Sequence, residues 1–316
     1  MKLLDLLFEQ EKILISRRSR KERKENLKTA TLKRVKEYIK KGGVGDLYIL
    51  DVPITSLPDG LKVGGDLYIT NTPITSLPDG LEVKGGLYLD KTRLTSLPNR
   101  LKVGDALRIL RTPITSIPDE FEVGGSLYLS GTSITSLPDG FKVEGSLDLS
   151  KTPIRSLPNG LKVRGRLDVS NTSITSLPND LEVEDSLMLF DTPITSLPDN
   201  LKVGDGLYLS NTSITSLPNG LNIKGDLYLD KVSITSLPNG LKVGGTLSLV
   251  GTRITSLPND LKVGNYLNLS STPITSLPNG LKVGRVLKLT DTPISKKYSR
   301  EEIKQAVPGL KDVIII

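Results

Sequence analysis

The chain has 316 residues, 24% of them charged, with a formal net charge of +7 and no Cys, His or Trp. Without Cys there is no disulfide, zinc-thiolate site or cysteine nucleophile, and without His the commonest general base and metal ligand is missing. No apolar run approaches the roughly 20 residues of a membrane span. Residues 1–12 carry acids where a secretory signal needs an uninterrupted apolar core, so the expected location is cytoplasmic or inside a virion.

The positive charge is concentrated at the start, where residues 1–43 hold fourteen Lys or Arg against six acids. Two helices are expected there. Leu3, Leu4, Leu7, Phe8, Leu14 and Ile15 form one apolar stripe, and Leu27, Leu32, Val35, Tyr38 and Ile39 form a second that ends at Gly42-Gly43. Between them Arg17, Arg18, Arg20, Lys21, Arg23 and Lys24 form a run without an apolar residue. Such a run reads either as a solvated helix face or as a phosphate-neutralising, nucleic-acid-binding segment.

From residue 47 the chain repeats every twenty residues without insertion or deletion, and the first position is Leu thirteen times out of thirteen up to Leu287. A fixed period of this length marks a solenoid whose turns bury their apolar side only by stacking. In the unit 67–86 the apolar positions are Leu67, Ile69, Ile74, Leu77, Leu81 and Val83. Leu67 and Ile69 flank one outward residue as in a short strand, so stacked copies give a parallel sheet at a spacing of about 4.8 Å. Thr72 recurs in all but two copies, which hold Val52 and Val232. We expect a buried column whose hydroxyls bond the turning backbone, with a backbone group left to water at the two valines. Leu77-Pro78-Asp79-Gly80 is a turn. Arg100, Glu120, Asp180, Asn200 and Asp260 replace the Gly, so a positive φ is not expected to be obligatory there.

The segment L-Y-I-T-N-T-P-I-T-S-L-P, residues 67–78, resembles the strand and turn of a leucine-rich repeat, L-x-L-x-x-N-x-L-x-x-L-P, with Thr72 in the Asn slot. The short unit is similar to bacterial leucine-rich repeats, including those of secreted effectors, and the flanking segments resemble bacteriophage-encoded repeat proteins. The resemblance implies a mainly β repeat solenoid: a parallel leucine-rich-repeat-like sheet with an N-terminal helical cap and a short C-terminal cap. The corresponding divisions are a basic cap at 1–43, the array at 44–294 and a second cap at 295–316. In that second cap, Ser299 precedes acids in a first helical turn, Pro308-Gly309 stops the helix, and Val313-Ile314-Ile315-Ile316 reads as a last strand. Some effectors with similar repeats carry a ubiquitin-ligase domain that works through a cysteine. This chain has no Cys, so that activity does not carry over.

In a solenoid the outward residues are free to differ. The column beside the first Leu holds Tyr48, Tyr68, Tyr88, Arg108, Tyr128, Asp148, Asp168, Met188, Tyr208 and Tyr228, among others, and takes six of the nine tyrosines. It reads either as a same-face aromatic ladder or as a protein-binding face. Met188 and Phe190 share one strand and one face beside Tyr208, which predicts a small apolar patch, and Arg108, Leu110 and Arg111 form a basic spot. Asp148 and Asp168 lie on neighbouring strands near Arg166, which is expected to neutralise them. The expected function is a non-enzymatic scaffold that binds a protein partner through Tyr68, Tyr88, Arg108, Leu110, Tyr128, Met188, Phe190, Tyr208 and Tyr228, with no cofactor and no metal. The alternatives are a bacteriophage virion or accessory component, and nucleic-acid binding through the basic segment.

Overall fold

The computed structural model describes residues 3–118 and 121–315, with side chains from Ser19 onward. The chain forms two compact units, Met1–Gly124 and Gly125–Ile316. Each is a parallel β-solenoid, and one turn is one twenty-residue repeat.

In the first unit, α1 runs from Leu3 to Lys40 as one helix of 38 residues. The expected pair of helices is therefore replaced by a single one. Residues 17–39 contain no Gly or Pro, and their Lys, Arg and Glu are good helix formers, so nothing there ends a helix. The first apolar stripe, Leu3 to Ile15, falls outside the described side chains. Thr31 and Val35 are buried, and Leu32, Tyr38 and Ile39 are half-buried, so the last turns of α1 cover the apolar end of the first repeat. The Arg34 guanidinium donates to the Tyr48 carbonyl, which lies on the strand edge that no repeat covers. The helix ends before Gly42 and Gly43, whose φ values of 84° and 65° are left-handed.

Each turn begins with a short strand at the repeated Leu. The strand Leu47–Leu50 pairs with Leu67–Thr70, that with Leu87–Tyr88, and that with Leu107–Arg108, all parallel and shifted by one repeat. An extended segment then carries Ile74 and Leu77 inward, and a second, two-residue strand follows, such as Glu82–Val83. The second strands at Lys62, Glu82, Lys102 and Glu122 form a sheet of their own. They were not foreseen, because only one inward Val marks each of them. All six apolar positions of the 67–86 turn are buried, four of them with no exposed surface at all.

The second unit continues the same plan from Leu127–Tyr128 through Val286–Lys288, with second-strand sheets starting at Lys142 and at Asn222. It closes with α2 (Pro293–Lys297), α3 (Arg300–Ala306) and the strand Asp312–Ile314, which pairs in parallel with Val286–Lys288. Ser299 caps α3 reciprocally: its Oγ accepts the Glu302 N–H at 3.3 Å while the Glu302 carboxylate accepts the Ser299 N–H at 2.8 Å.

Two corners shape every turn. The residue before the Thr column is left-handed throughout, for example Asn71 at φ 54°, Lys151 at 57° and Asp291 at 56°. Asn, Asp and Gly fill eight of these thirteen sites, which is a sequence signal for the conformation. The Thr then folds back, and Thr192 Oγ1 donates to the Leu189 carbonyl at 2.7 Å, as Thr92, Thr132 and Thr252 do to theirs. Thr72 and Thr112 are the exceptions, with buried hydroxyls that have no partner. At Val232 the Leu229 carbonyl still accepts the Val232 N–H at 3.2 Å, so Val costs one of two bonds and leaves no carbonyl bare. At the second corner Leu81 N–H donates to Pro78 O at 3.3 Å, with Gly80 left-handed. Arg100 and Asp260 are left-handed there too, at φ 61° and 59°, whereas Asp180 and Asn200 are not. A positive φ is thus not obligatory at this corner, and Arg100 adopts it although its residue type does not favour it. Glu120 lies outside the described residues.

Urea unfolding should separate the two contributions. Thr192→Val is expected to cost about 1 kcal/mol, one hydrogen bond, and Leu187→Ala about 2–5 kcal/mol, a buried cavity.

Candidate functional site

The alternation in the first strand turns Leu67 and Ile69 inward and Tyr68 and Thr70 outward. Because the pairing is parallel and in register, each outward residue lies beside its copy in the next turn. Tyr48 therefore stacks on Tyr68 with ring centroids 4.7 Å apart, and Tyr68 on Tyr88 at 4.5 Å, each pair within 4° of coplanar. The stack is built on carboxylates two residues earlier. Tyr48 donates its hydroxyl to Asp46 at 3.2 Å and Tyr68 to Asp66 at 3.0 Å. Asp66 also accepts the Gly86 N–H at 2.7 Å, which fixes its orientation.

This environment opposes a phenolate. The hydrogen bond to Asp66, followed by desolvation, pushes Tyr68 up to about 12. Desolvation first, and the nearby aspartates after it, also raise Tyr48 and Tyr88. Arg108 takes the next place in this column, and its Nε lies 2.8 Å from Asp90 Oδ2. Asp90 also accepts the Leu110 N–H at 3.1 Å. The expected basic spot is accordingly narrower than foreseen: Arg108 is neutralised by an acid on the neighbouring strand, Leu110 is half-buried, and Arg111 is an exposed left-handed corner residue.

The second unit carries another aromatic group. Met188 is the register partner of Tyr208, and Tyr208 of Tyr228. The Phe190 ring is tilted by 54° with its centroid 5.6 Å from that of Tyr208, and Tyr208 and Tyr228 stack at 5.3 Å. Met188 and Phe190 are half-buried, and the Tyr208 ring lies against Phe190. Burial foremost, then Asp226, raises both Tyr208 and Tyr228. Tyr128 is the register partner of Asp148 and stands three strands from Met188, outside this cluster.

Asp148 and Asp168 do not rely on Arg166. Each accepts an N–H from the turn just past its own strand, from Ser150 at 2.9 Å and Ser170 at 3.0 Å, so their role is to close local turns. Among the described residues no group of three potential metal ligands converges, and no helix is long and apolar enough to cross a membrane. Arg20, Lys21, Arg23 and Lys24 are exposed on α1, while the side chains of Arg17 and Arg18 fall outside the described residues.

The carboxylates that frame the rings, Asp46, Asp66, Asp226 and Asp230, are not among the residues expected from sequence. The signal was available as an acid two positions from a Tyr, which alternation puts on the same face. Tyr48, 48% exposed, also belongs to the stack.

No sequence-family profile matches the chain, and no curated protein sequence matches it. Solved structures do. YopM from Yersinia enterocolitica is similar over 90% of this chain and 71% of its own, at 19% identity and a TM-score of 0.51. YopM of Yersinia pestis, described as a leucine-rich effector protein, is similar over 90% of this chain and 91% of its own, at 17% identity and a TM-score of 0.51. A leucine-rich-repeat protein of Leptospira interrogans is similar over 83% of this chain and 76% of its own, at 21% identity and a TM-score of 0.53. The fold is thus that of leucine-rich-repeat solenoids.

A tyrosinate absorbance titration should find Tyr68 ionising well above an ordinary tyrosine. Its raised value means the fold favours the neutral phenol. That contribution to stability is complete below the unfolded value of about 10 and is lost as pH climbs towards 12. Asp66→Asn should move the Tyr68 step downward, and Tyr68→Phe should delete it.

Proposed function

We propose that the chain is a non-enzymatic protein-interaction module whose outward sheet face binds a partner presenting cationic side chains. The observation that carries this reading is the pair of aromatic clusters, Tyr48–Tyr68–Tyr88 and Phe190–Tyr208–Tyr228, each interleaved with aspartates. Aromatic faces attract guanidinium and ammonium groups, and flanking carboxylates add charge-assisted hydrogen bonds. Tyr is also a favoured contact residue because its contact area is large and stiff. The chain's own Arg108, in register with Tyr88 and paired with Asp90, occupies this chemistry from within.

The fold supports the same reading, since within each unit the stacked turns present an ordered row of outward side chains. The site holds no nucleophile–base pair, and the chain has neither His nor Cys, the residues that acyl transfer and metal hydrolysis most often use.

Affinity capture from nuclease-treated extract tests it, with wild type, Phe190→Ser and Tyr208→Ser compared. Ser is the residue other turns carry at the Phe190 position, as at Ser170 and Ser210, so Phe190→Ser is expected to keep the fold. A protein retained by wild type should lose about tenfold or more in affinity with either variant and should carry Arg or Lys at its contact. Equal retention by all three proteins would overturn the reading. Retention that depends on nucleic acid and on Arg20, Lys21, Arg23 and Lys24 would replace it.

A further inference from the structure

The second strand of each turn also presents one outward residue, and its in-register pairing sets like positions about 4.8 Å apart. In the first unit this column alternates in sign, and its neighbours pair: Lys62 with Glu82 at 3.0 Å, and Lys102 with Glu122 at 3.7 Å. Early in the second unit, Glu182 accepts from Lys162 at 2.8 Å on one side and Lys202 at 3.1 Å on the other. That column reads Lys142, Lys162, Glu182 and Lys202, so Lys142 and Lys162 are like-charged register partners and one Glu serves the whole sheet; in the next sheet no acid stands in the column at all. Lys242, Lys262 and Lys282 are consecutive register partners, all exposed, and the position before them is Asn222. Among the described residues none of the three forms an ion pair. The carboxylate of Asp260, two residues before Lys262 in the chain, lies beside Gly280 at the turn.

Three like charges side by side on a sheet oppose folding, and one Glu per column relieves the same strain elsewhere in this unit. Beside these lysines the chain has Gly244, Gly264 and Gly284, which leave a shelf without side chains. The result is an open groove of 510 Å3, with buried valines as its floor and Pro308-Gly309 at one end. Its lining contains neither an aromatic ring nor an Arg. Single-stranded nucleic acid is held by rings on which bases stack, and phosphate is favoured by the guanidinium fork. A flexible Lys row instead suits carboxylates on an extended chain, whose same-face residues recur at about 6.6 Å.

We propose that this lysine ladder is a second docking surface, separate from the aromatic face, and that it takes an extended acidic peptide segment of a partner protein. The Gly shelf lets the peptide backbone approach the sheet, and its Asp or Glu side chains supply the countercharge that the column lacks.

Fluorescence anisotropy with a labelled polyglutamate peptide tests this, with an oligothymidylate of matched charge as comparator. Wild type should bind the peptide, and the affinity should fall as salt rises from about 50 to 200 mM. The triple variant Lys242→Gln/Lys262→Gln/Lys282→Gln should lose about tenfold or more, whereas Lys62→Gln/Lys102→Gln/Lys162→Gln should bind as wild type does. Lys262→Glu, which recreates the Glu182 arrangement, should raise the melting temperature and abolish peptide binding. The proposal fails if the two triple variants bind alike, if wild type does not bind the peptide, or if the oligothymidylate binds more tightly. A Lys262→Glu protein no more stable than wild type would also remove its premise.

Discussion

The interaction on which the rest depends is the hydrogen bond from one turn to the next. A strand of two residues has no stability of its own, and its amides are satisfied only by the copy one repeat away. Leu189 N–H reaches the Tyr208 carbonyl at 2.9 Å, and on the second strand Gly204 N–H reaches that of Val183 at 3.0 Å. Every such bond requires the same register, so an added residue would turn Leu and Ile outward and the Tyr column inward. This accounts for a period of twenty held without insertion from residue 47 onward.

The same register makes the surface columnar. Whatever stands outward in one turn meets its copy within van der Waals or Coulomb reach, so stacked tyrosines, paired Lys and Glu, and unpaired lysines are all products of one rule. Two sides of the turn carry opposite chemistry as a result: aromatic rings framed by aspartates on the long strand, and a lysine row on the short one. On the first, acids hold the phenols neutral and leave carboxylate surface facing outward. On the second, an ordered concentration of positive charge lies over glycine.

The corners carry the cost of this regularity. A left-handed residue in every turn is cheap for Gly, Asn and Asp and dearer for Lys151 or Arg111. The buried Thr that follows repays part of that cost by bonding the carbonyl three residues back, as Thr152 does to Leu149 at 2.6 Å. Val232 keeps the packing and gives up the second bond.

The solenoid, the inward Leu, Ile and Val positions, the parallel strand and the Thr column are legible along the chain, because each is a local pattern multiplied by an invariant period, and the terminal caps are legible as the segments where that period is absent. Local pattern underdetermines the rest. The basic run between the two apolar stripes is continuous helix, since charge without Gly or Pro ends nothing. The two-residue second strands escaped notice because one Val cannot mark a strand. Which outward residues meet follows from the stacking: Asp90 neutralises Arg108, Phe190 leans on Tyr208, Asp148 and Asp168 close their own turns, and Lys242, Lys262 and Lys282 fall into one row that has no ion pair among the described residues. The physical reason is that burial repeats with the chain and can be read along it, whereas surface contacts form between residues twenty apart and exist only once the turns are stacked.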